Sequence, residues 1–525
     1  MEANYPKYVL YGLLIVGSWL LSCLLHFQVF HLSLFPYPSY LLSRRVVLPP
    51  ALDASFLPPP PDVAGDDDGS VVRRRSSSPA KAAASCDGRY VYVLEVPRRF
   101  QMLTECVEGS KVFDDPYHVC VVMSNSGLGP VIPPAAAGNA TVDGDIIPNT
   151  GWYNTDQYAL EVIFHNRMRR YECLTGDMAA ATAVYVAFYP ALELNRHKCG
   201  SSATERNEPP REFLRWLTSQ PSWAALGGRD HFMVAARTTW MFRRGGAGDS
   251  LGCGNGFLAR AESGNMTVLT YESNIWERRD FAVPYPSYFH PSSAREVSAW
   301  QATARGARRP WLFAFAGARR ANGTLAIRDH IIDECTASPP GRCGMLDCSH
   351  GLEGSITCRS PRRLVALFAS ARFCLQPPGD SFMRRSSIDT VLAGCIPVFF
   401  HEASTFKKQY QWHERDADAD NDNATVDRRR YSVVIDPDDV VEGRVRIEEV
   451  LRRFSDDEVA AMREEVIRMI PRFVYKDPRV RFEGDMRDAF DITFDEIMAR
   501  MRRIKNGEIL GWKLDGDDDV VAKDS

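Results

Sequence analysis

The chain has almost no excess of charge of either sign. Its 63 Lys+Arg stand against 67 Asp+Glu, a formal net charge of -4. It therefore lacks the basic surplus that a nucleic-acid backbone demands of a partner. No Walker-type lysine follows its Gly-containing turns, which argues against a P-loop nucleotidase. The cysteine group Cys335, Cys343, Cys348 and Cys358 lacks the C-x-x-C pairs of zinc sites, so disulfides are the better reading. A metal-held diphosphate would want an Asp-x-Asp pair at a strand end, and of the two acidic runs only "DPDD" follows a strand. "DADAD" (Asp416 to Asp420) lies in a polar insertion, and "DPDD" (Asp436 to Asp439) fits helix capping. No repeat of fixed period is present. No small-residue cleavage site follows the N-terminal apolar run, which disfavours a removable signal peptide.

That run is the first positive feature. "YVLYGLLIVGSWLLSCLL" (Tyr8 to Leu25) holds 18 residues without a charge, and "FQVF" extends it to Phe30. Such a length spans a bilayer. Twelve of the 13 cysteines lie beyond it, and sequons occur at Asn139, Asn265, Asn322 and Asn423. Both features suit an oxidising lumen. The expected organisation is a cytosolic tail (1–7), a signal anchor (8–30), a flexible stem (31–85) and a luminal body. The stem, with "LPPPPD" and "GDDDG", has too little apolar material to bury.

At 525 residues the chain is too long for one ordinary core. After Cys86, apolar runs such as "YVYVLEV", "AVYVAFY", "HFMVAA", "MTVLTY", "WLFAFAG", "ARFCLQ", "CIPVFF" and "YSVVI" alternate with helix-like segments. That alternation predicts an α/β architecture with parallel sheets. The weakly structured "QATARGARRP" (Gln301 to Pro310) divides an N-terminal half (86–305) from a C-terminal half (306–475). A helical segment (476–505) and an acidic tail (506–525) follow.

One stretch carries the chemistry. "ARFCLQ" reads as a strand, "PPGDS" as a turn and "FMRRSSIDTVLA" as a helix stopped by Gly394. In such sheets ligands sit beyond the carboxyl ends of the strands, where a helix N-terminus attracts anions. Arg384 and Arg385 are the wrong sign for the helix dipole there. A diphosphate held by both guanidinium groups, beside Gly379 and Ser381, accounts for them. The competing reading is a surface pair between Arg385 and Asp389 at i,i+4. A fainter strand–glycine–helix element places Gly317 and Arg328 in a comparable position.

Chemistry on a hydroxyl at such a strand edge needs a base. Glu272 ends "MTVLTYE" on the edge expected to face the cleft, and is the preferred candidate. His401 ends "CIPVFF" on the side of the arginine-bearing turn, while Asp230 and His231 precede their strand at the opposite edge. These three are the alternatives.

With these residues in view, the chain resembles glycosyltransferase family 47, the exostosin-like enzymes, and within it the plant xyloglucan galactosyltransferases. The resemblance runs from about Tyr90 to Ile504. It rests on "TDQYALEVIFHNRMRRYECLTGD" from Thr155, "GGRDHFMVAARTTW" from Gly227, "FAVPYPSYFHP" from Phe281 and "FCLQPPGDSFMRRSSIDTVLAGCIPVFFH" from Phe373. It implies a two-domain GT-B fold in the Golgi membrane, with acceptor mainly on the N-terminal half and nucleotide sugar on the C-terminal half. It further implies transfer from a UDP-sugar with inversion, onto a polysaccharide acceptor, without a cofactor or essential metal, and other Golgi glycosyltransferases as partners. Asp389 inherits a role near the nucleotide ribose. The sequence departs from the family pattern at Met241, where an aspartate is usual, at "LGCGNG" (Leu251 to Gly256), and at Arg319, where a proline is common. The first two fall in the acceptor half and bear on the acceptor and the sugar. The alternatives are a catalytically silent glycan-binding or scaffold protein, or use of another UDP-sugar such as arabinose, xylose or a uronic acid. The intact "GDSFMRRSSID" argues against a silent protein.

Overall fold

A computed structural model describes residues 86, 88–106, 119–133, 146–197, 200–244, 253–273, 280–319, 326–349, 358–414 and 428–509. The expected anchor and stem lie outside them, as does the acidic tail beyond Ile509. Among the described residues no helix is long and apolar enough to cross a membrane.

Two five-stranded sheets organise the protein, and every strand pairing in them is parallel. The first contains β1 (Val91–Leu94), β2 (Ala183–Val186), β3 (His231–Val234), β4 (Thr267–Thr270) and β5 (Phe281–Ala282), in that order across the sheet. The second contains β6 (Trp311–Gly317), β7 (Cys343–Asp347), β8 (Ala371–Gln376), β9 (Ile396–Phe399) and β10 (Val433–Val434). Its spatial order is β10-β9-β8-β6-β7. The central strands are uninterrupted apolar runs because parallel sheets are covered on both faces. All four residues of β2, β3, β4 and β9 are buried. β5 and β7 were not expected from the sequence. Both are edge strands, paired on one side only, and so carry a weaker apolar signal.

The two sheets differ in one functional respect. The first runs in sequence order and has no reversal. The second reverses between β6 and β8, and the crevice beyond the carboxyl ends at such a reversal is where doubly wound sheets bind ligands.

The helices that matter below are α1 (Leu160–Met168), α2 (Ala203–Thr218), α3 (Ala294–Gly306), α4 (Ile327–Ala337), α5 (Pro361–Ala369), α6 (Arg385–Leu392), α7 (Asp456–Phe473) and α8 (Ala489–Lys505). α3 corrects the expectation of a weakly structured linker at Gln301. Val297, Trp300 and Ala304 recur at helical spacing and are buried, and the Trp300 indole donates to the Leu392 carbonyl at 2.8 Å. The chain returns to the first sheet at its end. Phe490 of α8 meets Phe164 of α1 at 4.6 Å between ring centres, and Arg500 donates to the Thr267 hydroxyl at 3.1 Å.

Cys335 pairs with Cys343 and Cys348 with Cys358, as the absence of zinc-type spacing indicated. Cys86–Cys173, Cys106–Cys120 and Cys374–Cys395 are also bonded, and Cys253 is in a disulfide.

Candidate active site

The β8–α6–β9 unit is built as its sequence suggests. Ile388, Val391 and Leu392 are buried. Gly394 adopts φ +63°, and the amides of Gly394 and Cys395 bond back to the carbonyls of Val391 and Thr390 at 2.9 and 3.0 Å. This Schellman arrangement ends α6 and turns the chain into β9.

At the other end, the turn after β8 lies beside the sheet reversal. Arg328, buried near the start of α4, donates from Nε to the Pro378 carbonyl at 3.1 Å. A methyl placed on Gly379 would lie 2.1 Å from Nη1 of Arg384 and 3.1 Å from Nη2 of Arg328. Two guanidinium heads therefore converge on one glycine at the mouth of a helix N-terminus. Gly317 ends β6 next door, where a Cβ would strike the Phe315 ring. Ser381 shapes the turn, accepting through its carbonyl from the Gly379 amide and donating through Oγ to the Met383 carbonyl, both at 2.9 Å.

Arg385 is placed differently. Its Nη1 donates to the Thr155 carbonyl at 2.6 Å, and its Cζ lies 3.8 Å from the Tyr288 ring centre. Nε stands 3.7 Å from the Asp389 carboxylate, so the i,i+4 pair is present, but it is buried rather than superficial. Asp389 also accepts from the Ser287 hydroxyl at 2.6 Å, and burial raises its pKa despite Arg385 beside it.

Glu272 lies just beyond β4, in a parallel bridge with Thr238, and is 4% exposed. Its carboxylate reaches the donor turn and accepts from the Met383 amide at 3.0 Å. Burial pushes its pKa up to about 7, against the hydrogen bonds from Met383, Ser381 and Phe382 that favour the ionised form. A half-ionised carboxyl at neutral pH suits proton abstraction. His401 is exposed, caps a short 3-10 turn through the Ala403 amide at 3.0 Å, and stacks on Phe382 at 4.7 Å. Asp230 and His231 lie at the amino end of β3, bonded to each other at 2.8 Å and, through His231, to Ser222 at 3.1 Å. They are buried and are not brought together with Glu272 or the arginines by any contact. Asp436 caps the helix Pro437–Val441 by accepting from Asp438 at 2.9 Å. "DADAD" lies outside the described residues, as do Asn139, Asn322 and Asn423. Asn265 is exposed, although its amide donates to the Gly227 carbonyl at 3.1 Å.

Sequence reasoning missed three groups at the carboxyl edge of the first sheet. Glu161 of α1 is fully buried and accepts from the amides of Ala191, Leu192 and Ala236 at 2.8, 3.2 and 3.0 Å. Burial raises its pKa to about 8. It ties the segments that follow β2 and β3. Arg237, two places on from Ala235, stacks over the Tyr158 ring at 4.3 Å. Tyr285 lies within electrostatic reach of Arg237, Tyr158, Glu272 and Arg384. None carries a local signal, because each acquires its neighbours only when non-consecutive segments pack.

Comparison with known proteins bears on this arrangement. The profile of the exostosin GT47 domain matches residues 85–451. Xyloglucan galactosyltransferase MUR3 of Arabidopsis thaliana is 39% identical over 428 residues, which is 81% of this chain and 64% of that protein. The probable xyloglucan galactosyltransferase GT15 of the same plant is 38% identical over 81% of this chain and 85% of its own length. Xyloglucan-specific galacturonosyltransferase 1, also of A. thaliana, is 34% identical over 81% of this chain and 59% of its length. The chain thus matches less than two thirds of the first and third of these.

Proposed function

The chain belongs to the exostosin GT47 family, and we propose that it is a Golgi transferase moving galactose from a UDP-sugar onto xyloglucan side chains. The observation that carries this reading is the convergence of Arg328 and Arg384 on Gly379 at the reversal of the second sheet. A scaffold has no need of two cations at the mouth of a helix, whereas a diphosphate does.

In the proposed reaction the acceptor hydroxyl attacks the anomeric carbon, the bond to the β-phosphate oxygen breaks, and UDP leaves with the electron pair. Glu272 takes the hydroxyl proton. Its raised pKa places the base near working pH, and its position beyond β4 sets it against the donor turn. Arg384 and Arg328 offset the charge that develops on the leaving group, a task that then requires no cation. Asp389 remains the candidate for the ribose. A luminal site is supported by the disulfides, which suit an oxidising compartment. Insertion of the segment 8–30 in the Golgi membrane, and association with other Golgi transferases, complete the reading.

The test is direct. The purified full chain is titrated with UDP by calorimetry, then screened with UDP-sugars and xyloglucan oligosaccharides under mass detection. Galactose addition is expected. Absence of both UDP binding and sugar addition would favour the silent alternative.

A further inference from the structure

Phe382 is an aromatic ring without a place in the core. It sits in the turn after β8 beside Met383, which is 1% exposed and belongs to the hydrophobic core, whereas Phe382 is part-exposed and stands outside it. Its ring packs instead on His401, an exposed residue just beyond β9, at 4.7 Å between ring centres and 30° between planes. The imidazole is fixed by nearby backbone. Its Nδ1 accepts from the Ala403 amide at 3.0 Å, which leaves the proton on Nε2 as a donor. A pair of rings at the surface of a polar turn adds nothing to the core, and its neighbours point to another use. Three residues before Phe382 is Gly379, under the heads of Arg328 and Arg384, and three residues of chain reach at most about 11 Å. The Phe382 amide, with that of Met383, donates to the Glu272 carboxylate. The rings are thus within reach of both the proposed diphosphate clamp and the proposed base, at the reacting end of the donor. A nucleobase hangs from the opposite end of the diphosphate and is not the group these rings would meet.

We propose that Phe382 and His401 form a stacking platform for the acceptor sugar, the pyranose whose hydroxyl is attacked. The proposal rests on the transferase reading above. A pyranose is amphipathic, with hydroxyls around its rim and C–H groups across its faces. Those C–H groups carry slight positive charge and the face of an aromatic ring slight negative charge, so the two pack against each other. The Nε2–H of His401 supplies a donor for an oxygen at the rim. Stacking holds the sugar ring as a whole rather than any one hydroxyl, which leaves the attacked hydroxyl free to turn toward Glu272. Both rings bind and position; the proton transfer stays with Glu272.

The experiment measures transfer from UDP-galactose to a neutral xyloglucan oligosaccharide by the full chain, with UDP affinity taken by calorimetry on the same preparations. Phe382→Ala removes the ring and keeps the backbone amide on Glu272. It should raise the acceptor KM at least about threefold, the scale of one lost aromatic contact, without a matching loss of UDP affinity. Phe382→Tyr keeps the ring and should keep the parental KM. His401→Asn removes the second ring while an asparagine still caps the short 3-10 turn, and should raise the acceptor KM in the same direction. The hydrogen bonds to Glu272 come from backbone amides and Ser381. The pH at which kcat/KM rises should therefore stay at its parental value in all three variants, which a disrupted turn would not show. A higher acceptor KM in Phe382→Ala and His401→Asn, restored in Phe382→Tyr, supports the platform. Lost UDP affinity with an unmoved acceptor KM would assign the rings to the nucleotide and overturn it. So would an acceptor KM that Phe382→Ala leaves at the parental value, or that Phe382→Tyr raises as far as the alanine does. These outcomes leave the transferase reading standing. A parent that neither binds UDP nor transfers sugar would refute that reading, and the platform with it.

Discussion

Gly379→Ala isolates the proposed diphosphate clamp from the stability of the fold. Gly379 is not among the glycines with positive φ, so alanine meets no backbone penalty there. The new methyl would come within 2.1 Å of Arg384 Nη1 and 3.1 Å of Arg328 Nη2. Both atoms end long flexible side chains, so the heads move and the turn stays. A guanidinium pushed off its phosphate loses a charge-assisted hydrogen bond, about 1.5–3 kcal/mol. At 1.4 kcal/mol per tenfold, UDP affinity should fall about 10- to 150-fold. Loss of glycine freedom in the unfolded chain acts the other way, stabilising the protein by up to about 1 kcal/mol.

The expected signature is therefore weaker UDP binding with an unfolding midpoint that is unchanged or higher. Calorimetric titration gives the first and a thermal melt the second. Gly176→Ala serves as the control, since a methyl there meets nothing within 4 Å. If Gly379→Ala binds UDP like the parent while Gly176→Ala behaves as expected, the arginines over Gly379 do not hold the diphosphate.

The remaining predictions concern the base, the paired arginines and the metal. Glu272→Gln should still bind UDP but transfer sugar about 10²–10⁴-fold more slowly. In the parent, kcat/KM should rise with pH through about 7 as this carboxyl ionises, and that limb should vanish in the variant; an unchanged profile would move the base to His401, Asp230 or His231. Arg384→Ala should weaken UDP binding about 10- to 150-fold. Arg385→Ala should chiefly lower stability in denaturant, by about 1–3 kcal/mol, because it removes the contacts to Thr155 and Asp389. A UDP loss in Arg385→Ala as large as in Arg384→Ala would return Arg385 to the pocket. Activity should survive excess EDTA, and loss restored by manganese would refute the metal-free clamp.

All the strands but β5 and β7 were legible because continuous apolar runs are what two-sided burial requires. The edge strand β7, "CGMLD", was not, since its glycine packs under Trp311 and gives no apolar signal of its own. The run "QATARGARRP" looked like a linker from its Ala, Arg and Gly content. It is helical to Gly306 because its burying residues, Val297 and Trp300, lie at or before its start. Among site residues, Arg328, Gly379 and Arg384 could be nominated locally, each being beside a strand end. Arg237 and Tyr158 could not. They are 79 positions apart in the numbering and meet only because the segment after β3 folds against the segment before α1.

The arginine pair shows where a sequence reading of this kind stops. Two adjacent cations at a helix start look like a single site, and like charges side by side would repel if both pointed into one pocket. The backbone separates them. Arg384 is the N-cap, with extended φ -140° and ψ 148°, whereas Arg385 is the first helical residue. That change of conformation directs consecutive side chains to different sides of the chain. One head meets Arg328 over Gly379, and the other crosses to Thr155 and Tyr288, which belong to segments flanking the first sheet. Asp389, one turn further on, sits beside Arg385 and accepts from Ser287. The start of α6 thus serves the proposed donor pocket with one residue and ties the two sheets together with the next. Binding and docking share a helix start, so a substitution at either position can disturb both, and only measurements of affinity and stability on the same variant separate them.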